Sequence, residues 1–260
     1  MFYKPALFGK MQAYYFKSLP STNDKAMELA RQLTIPEFSY VVAEEQTNGR
    51  GRNGNSWCSS AGGGLYMSML LRPQLPAELL PQLTLVAGVA VCDVLKSFFL
   101  RENTAEVGIK WPNDILVNGR KVAGILCEAE LSGEHAAIVV GIGINISFTQ
   151  EQLPVRVLYP ATSLLLELGD SAVLPSPVGL AEGVAVALKE QFEQFYLSHQ
   201  VFDRWSSYDI LAGKRITIST PDCGIVAGIA SGITPSGELK LIDEQTGSLS
   251  VITAGSIIEA

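Results

Sequence analysis

Asparagine followed by glycine between two β-type runs is the strongest short-range hairpin signal in a sequence. Both residues tolerate the positive φ that a two-residue turn demands. This chain has that pair at Asn118-Gly119, with Ile115 to Val117 before it and Lys121 to Leu131 after it. The predicted hairpin sets Asp114 and Lys121 on neighbouring strands, facing one site. Upstream, Val107 to Lys110 reads as a short strand running into Trp111-Pro112-Asn113-Asp114. Downstream, residues 136–146 (AAIVVGIGINI) read as another strand, broken by Gly141 and Gly143.

Other segments extend this sheet. Residues 11–17 and Ser39 to Ala43 have strand composition, and LYMSMLLRP follows Gly62-Gly63-Gly64. Its alternation is only partly polar, which predicts a strand covered on both faces. Helical spacing of Ala26, Leu29, Ala30 and Leu33 follows Ser21-Thr22-Asn23-Asp24, a helix N-cap signal. Further helices are expected over 77–100, 161–168 and 177–198. The apolar stretch from Leu79 to Leu100 carries Gln82, Asp93 and Lys96, so it reads as a buried amphipathic helix and not a membrane span. The N-terminal run is broken by Lys4, Pro5, Gly9 and Lys10 and does not read as a signal peptide. From Lys214 the pattern changes to short β-type runs (RITIST, IVAGIA, ELKLI, SLSVIT) between turn residues, the mark of a small β-barrel. A division into residues 1–212 and 213–260 is expected.

A net charge of −7 argues against a general nucleic-acid binder. Cys58, Cys92, Cys127 and Cys223 are scattered, and His135 and His199 are the only histidines. That pattern reads as reduced thiols in a cytoplasmic protein, without a protein-built metal site.

Against this acidic background the run Gln46 to Trp57 (QTNGRGRNGNSW) stands out. Its glycines let backbone approach a ligand closely. Arg50 and Arg52 supply planar donors suited to carboxylate or phosphate oxygens. Taken alone, the stretch reads equally well as a flexible basic surface loop. Likewise Ser21 and Thr22 read either as a helix cap or as hydroxyls offered to a small polar ligand at a helix N-terminus.

Taken together, Gly49-Arg50-Gly51-Arg52 with Trp57, Lys110 to Ile115 (KWPNDI) and Gly141 to Asn145 (GIGIN), in this order and spacing, resemble the biotin–protein ligases, also called biotin–[acetyl-CoA-carboxylase] ligases. Ser21-Thr22-Asn23 and Gly119 to Ile125 (GRKVAGI) add to the resemblance, which runs from about residue 11 to the C-terminus. It implies an α+β fold, a mixed β-sheet flanked by helices in the manner of class II synthetases, with a small SH3-like C-terminal barrel. The activity implied is ATP-dependent, with Mg²⁺. Biotin becomes biotinyl-5′-AMP and is then passed to a lysine of a biotin carboxyl carrier protein domain.

The resemblance also implies roles. Ser21, Thr22, Asn23 and Gln46 would meet the biotin ring, and Gly124 and Gly141 would leave room for it. Gly49, Arg50, Arg52 and Lys121 would surround the carboxylate and α-phosphate. Trp57, Lys110, Asn113 and Asn145 would contact the adenylate, and Asp114 would orient or help deprotonate the incoming lysine. Three simpler readings stand beside these: a structural Lys110–Asp114 ion pair, a core Trp57, and a strand bulge at Gly141 and Gly143.

Asn53 and Asn55 stand where the fuller GRGRRGR pattern is basic, so a less charged loop is expected. Ser21-Thr22-Asn23 comes almost at once, leaving no room ahead of it for a helix-turn-helix, so a ligase without DNA binding is expected. The sequence admits a homodimer without requiring one. The nearest alternative is a lipoate- or octanoate-protein ligase, hinted at by Ala61 to Gly64, but the paired arginines that precede that run in those enzymes are missing. A non-catalytic biotin or adenylate sensor is disfavoured by the intact Lys121, Asp114 and arginine loop.

Overall fold

In the computed structural model the Asn118-Gly119 turn has positive φ at both residues, 50° and 74°, and Val117 faces Arg120 across it. The structure describes residues 7–8, 11–99, 105–132, 135–155, 158–169, 171–221 and 224–260. Most of the N-terminal decapeptide, Leu100 and Cys223 lie outside these.

Eight strands form the main sheet: β1 (Leu7–Phe8), β2 (Met11–Leu19), β3 (Tyr40–Gln46), β4 (Gly64–Leu71), β5 (Val107–Lys110), β6 (Asp114–Val117), β7 (Arg120–Ser132) and β8 (His135–Asn145). Their spatial order is β1-β2-β3-β4-β8-β7-β6-β5. β2 and β3 are parallel, and the other neighbours are antiparallel, so the sheet is mixed. Parallel neighbours need a crossover, and helix α1 (Thr22–Ala30) supplies it.

Successive residues on a strand point to opposite faces. On one face Val41 and Val139 pack with Ala26 and Leu29 of α1. On the other, Tyr40, Val42, Val140 and Ile142 join the larger core with α2 (Gln82–Phe99) and, further along the chain, α4 (Pro177–Ser198). β4, buried along its whole length, is covered on both faces as its weak alternation suggests. The segment Ala77–Phe99 is apolar and long enough to cross a membrane by length and composition. In the fold Leu83, Val86, Ala87, Val89, Ala90 and Val91 of α2 are buried in the core.

Two expected helices are shorter than their spacing implies. Ala77–Leu79 is a separate 3₁₀ turn and α2 starts only at Gln82, after Pro81, which is better placed before a helix than within one. Between β8 and α4, α3 covers only Leu164–Leu168, not 161–168. Lys121 takes the backbone there instead: its N–H donates to Pro160 O (2.7 Å), and its carbonyl accepts from Thr162 N (2.8 Å).

Helix α5 (Phe202–Ser206) leads to a second, antiparallel sheet consistent with an SH3-like barrel. Its strands are β9 (Arg215–Thr220), β10 (Gly224–Ile233), β11 (Leu239–Ile242), β12 (Leu249–Ile252) and β13 (Ser256–Glu259), in the order β12-β11-β10-β9-β13. The four β-type runs correspond to the first four strands. β13 lies beyond the four runs and pairs with β9. Ile216, Ile218, Leu239 and Leu241 join the same apolar core as α2. The Trp111 indole N–H donates to Gly237 O at 3.1 Å, tying the two sheets together.

The connection into the second sheet runs beside β5. Ile109 N donates to Tyr208 O at 2.6 Å, and Ile210 N donates to Ile109 O at 3.3 Å. A Cβ on Gly108 would overlap the Ile210 side chain and come 2.8 Å from Tyr208 O, a backbone atom with little freedom to yield. Gly108→Ala is expected to destabilise by about 1–3 kcal/mol through overpacking. The check is a lowered urea midpoint with unchanged slope; an unchanged midpoint would show that the connection does not depend on this close approach.

Candidate active site

The site begins as a floor without side chains. On the α1 face of the sheet, Gly124 of β7 stands opposite Gly143 of β8, and Gly141 lies between Leu126 and Ser68 of the adjacent strands. A Cβ at Gly141 would overlap the Asn23 carboxamide, and one at Gly143 would overlap the Trp57 indole. At Gly124 it would come 2.9 Å from the Trp57 ring. Pairing runs without a shift through residues 141–143, so these glycines mark close approach and not a bulge. Above them lies a cavity of about 250 Å³.

The bulge is on β7. Ile115 pairs with Ala123 but Leu116 pairs with Lys121, so Val122 is an extra residue. Val122 and Ala123 both join the apolar core. Without that insertion Lys121 and Gly124, three residues apart, would face opposite sides. With it, Lys121, Gly124 and Asp114 share the cavity face, and all three line the cavity.

The start of α1 makes a polar wall. Ser21 is the N-cap, but its side chain makes no capping hydrogen bond, and it lines the cavity. Thr22 N donates to Gln46 Oε1 (2.8 Å), Thr22 Oγ1 lies 3.0 Å from the same oxygen, and Gln46 Nε2 donates to Ser59 Oγ (2.9 Å). Ser68 Oγ lies 2.7 Å from Thr22 Oγ1 and 2.6 Å from Asn23 Oδ1. Asn23 Nδ2 donates to Glu128 Oε2 at 2.6 Å. Ser21, Thr22, Asn23, Ser59 and Ser68 are all buried. This linked set fixes the direction of each amide and hydroxyl before any ligand arrives, and suits a small ring bearing both N–H and C=O groups.

The Gly-Arg loop is folded into a narrow hairpin. Trp57 N donates to Gly49 O (2.9 Å), Arg50 bridges Ser56, and Gly51 N donates to Asn55 O (2.7 Å). A 3₁₀ turn over Arg52–Gly54 makes the tip, with Asn53 and Gly54 at positive φ. Asn53 Nδ2 donates to Ser256 Oγ of the second sheet (3.2 Å). Arg50 grips Asp24 through two nitrogens (2.9 and 2.7 Å) and lies 3.1 Å from Glu128. Arg52 donates to Asn113 Oδ1 (3.1 Å), and burial lowers its pKa.

At the other end of the cavity one carboxylate serves two lysines. Lys110 Nζ is 2.9 Å from Asp114 Oδ2 and Lys121 Nζ is 2.5 Å from Asp114 Oδ1, with all three side chains largely buried. Burial pushes the Asp114 carboxyl up, but Lys121 and Lys110 together pull it down further, so it stays below the ordinary carboxylate value. Two ammonium groups against one carboxylate leave this corner net positive, and Arg52 adds to it. Such a corner attracts an anion. The Lys110–Asp114 pair anticipated as a structural alternative is therefore formed, but is shared with Lys121. Trp57 is only partly buried; its ring lies 5.3 Å from Lys121 Nζ, and its indole N–H is buried without a hydrogen-bond partner.

Most residues singled out from the sequence meet at this cavity, Asn113 and Gln46 included. Two do not line it. Gly49 packs against Ser59 and the Trp57 carbonyl, and buried Asn145 donates to Thr162 O (2.8 Å), facing a separate space of about 30 Å³ behind Trp57 and Lys121. Sequence reasoning missed Ser59, Ser68, Glu128 and the Gly255–Ile257 segment of the second sheet, which closes one side of the cavity. Only Ser68 carried a signal, as a lone hydroxyl in an otherwise apolar strand.

Comparison with known proteins gives the family of the chain. The model of the biotin/lipoate A/B protein ligase family matches residues 15–145. The bifunctional ligase/repressor BirA of Bacillus spizizenii is 34% identical over 244 residues, covering 92% of this chain and 72% of that protein. The biotin–[acetyl-CoA-carboxylase] ligase of Mycobacterium tuberculosis is 33% identical over 240 residues, covering 92% and 85% respectively. Among solved structures, the biotin protein ligase from Aquifex aeolicus in complex with biotin and ATP has a TM-score of 0.78 at 26% identity, covering 95% of this chain and 99% of that one. Motifs, fold and relatives converge: the chain belongs to the biotin/lipoate A/B protein ligase family, as a biotin protein ligase.

Proposed function

We propose that this cavity joins biotin to MgATP as biotinyl-5′-AMP and then transfers the biotinyl group to a lysine of a biotin carboxyl carrier domain. The observation that carries the reading is the union, in one cavity, of a pre-oriented amide and hydroxyl wall at one end and a net positive corner at the other. Biotin has both halves of the matching pattern, a ureido ring and a carboxylate. The Mycobacterium tuberculosis relative is named for the same transfer, and the Aquifex aeolicus structure holds biotin and ATP.

In the first step a biotin carboxylate oxygen attacks the α-phosphorus, and the bond from that phosphorus to the bridging oxygen breaks, releasing pyrophosphate. Two anions must come together, so positive charge has to offset their repulsion. Arg52 and Lys121 supply it within the cavity. The guanidinium of Arg50, expected at the carboxylate and α-phosphate, is held by Asp24 and Glu128 and holds the base of the loop instead. Positioning of aligned reactants contributes up to about 7–11 kcal/mol. Mg²⁺ enters as part of the nucleotide substrate. Asp114 is already held by two lysines, and among the described residues no three His, Cys, Asp or Glu side chains converge as metal ligands.

In the second step the carrier lysine's amine attacks the acyl carbon, the acyl–oxygen bond breaks, and AMP leaves. A carboxylate held below its ordinary pKa is a weak base near neutrality. Asp114 therefore orients the incoming amine electrostatically, and water takes its proton. Ser21, Thr22, Asn23 and Gln46 hold the ring over the glycines of the floor. Trp57, Lys110, Asn113 and, from behind Trp57, Asn145 support the nucleotide. Residues 1–212 carry the chemistry, and residues 213–260 close the cavity through Gly255–Ile257.

The deciding assay follows pyrophosphate release and transfer of labelled biotin to a carrier domain bearing the acceptor lysine. Lipoate is run in parallel, because the family includes ligases for both acids. Labelled carrier supports the reading; pyrophosphate released with lipoate but not with biotin would reassign the substrate.

Lys121→Ala is expected to slow adenylation by about 10²–10³-fold, the usual loss for one transition-state donor. Unchanged pyrophosphate release would remove Lys121 from the reaction. Arg52→Ala is expected to speed loss of bound adenylate by about 10–100-fold, as for a lost charge-assisted hydrogen bond, while biotin affinity moves by less than about threefold. An equal loss in both would contradict its placement on the phosphate.

The pH dependence has a definite sign. Because the folded-state pKa of Asp114 is depressed, the stability it contributes is complete above the ordinary carboxylate value and is lost as pH falls through the depressed value. No inflection from Asp114 is expected between about pH 5 and 7, so any inflection there should persist in Asp114→Asn while the transfer rate drops. An inflection in that window that vanishes in the variant would make Asp114 the titrating base.

A further inference from the structure

Arg50 lines the cavity, yet its guanidinium is turned to two carboxylates of other elements. Asp24 in the first turn of α1 takes both terminal nitrogens in fork geometry, and Glu128 on β7 approaches the second at 3.1 Å. Neither carboxylate is loose. Glu128 accepts from Asn23 at 2.6 Å, and Asn23 is held by Ser68 at 2.6 Å. Asp24 stands on the same helical turn as Asn23. Arg50 therefore pins the base of the Gly-Arg hairpin across the gap between α1 and β7, while at the tip Asn53 donates to Ser256 of the second sheet at 3.2 Å. Arg52 and Trp57, which line the cavity, are carried by this same hairpin.

We infer that Asp24, Glu128 and Arg50 form a clasp that sets how long the hairpin stays shut over the acyl-adenylate, with Asp24 and Glu128 as positioning residues acting through Arg50. The inference rests on the ligase reading above. A fork-shaped Arg–carboxylate pair fixes geometry as well as charge. Its partial exposure makes it breakable: Arg50 and Asp24 side chains are 33% and 54% accessible. Such a pair weakens with salt. On the ligase reading, biotin and then the carrier lysine pass beside this hairpin, and between those events water has to be kept from the anhydride. A buried latch would hold too long, and a single exposed hydrogen bond too briefly. One arginine shared by two partly exposed carboxylates lies between these extremes.

The test compares the full chain with Asp24→Asn, Glu128→Gln and Asp24→Glu. Single-turnover pyrophosphate release from biotin and MgATP gives the rate of adenylate formation. A chase with unlabelled biotin and ATP then gives the rate at which labelled biotinyl-adenylate escapes. Asp24→Asn is expected to speed escape by about 5–10-fold, as for loss of partly exposed charged contacts, with formation within about twofold. Glu128→Gln, which also loosens Asn23 of the polar wall, should speed escape and slow formation as well. Asp24→Glu, which keeps the charge, should escape more slowly than Asp24→Asn. Salt raised from about 0.05 to 0.5 M should speed escape from the unaltered chain, and much less from the two neutral variants. Unchanged escape in both neutral variants, a salt response that survives in them, or slower formation with unchanged escape would each overturn the clasp. If the unaltered chain forms no adenylate from biotin, the ligase reading fails first, and the clasp falls with it.

Discussion

The extra residue in β7 governs this site. A strand without a bulge presents alternate residues to each face, so Lys121 and Gly124 could not both look into the cavity. Inserting Val122 shifts the face by one position, and the core absorbs the cost because Val122 and Ala123 both bury apolar side chains there. The glycine floor, the lysine and Asp114 are thus brought to one side by a local irregularity that apolar packing holds in place. The backbone bonds of Lys121 to Pro160 and Thr162 fasten the bulged segment from its other edge.

Burying Asp114 beside two lysines would be an expensive way to gain stability, since desolvation of ions commonly cancels their attraction. What the arrangement does provide is a surplus of positive charge that is fixed in position and shielded from water. Lys110 and Lys121 are each held by a carboxylate oxygen and by an aromatic ring, Tyr159 and Trp57 respectively. Little rearrangement is then needed when an anion enters, which is the condition under which charge contributes most to a reaction.

Much of the architecture is local and could be read from sequence. The Asn118-Gly119 turn, the capped helix after Ser21 and the shift to short β runs at Lys214 all follow from neighbouring residues. The five motifs named the site because each is a continuous stretch. What could not be read is what depends on register. Glu128 is one acidic residue on a long strand until its pairing sets it beside Asn23 and Arg50. Ser59 gains meaning only through Gln46, and Gly255–Ile257 only through the placement of the second sheet. The helix expected from 161 fails at its start for the same reason: a distant partner, Lys121, claims the backbone that local spacing would have made helical.

A floor of backbone has no rotamers. Where a pocket lined by leucine or methionine can rearrange around a different guest, Gly124, Gly141 and Gly143 offer only the pleat of two paired strands, stiff on both sides. The Trp57 ring of the hairpin lies over Gly124 and Gly143, and Asn23 of α1 lies over Gly141. The thickness of the gap is thus set by the hairpin and the helix start, so what can lie on this floor is decided by how those two elements are held and not by the floor itself.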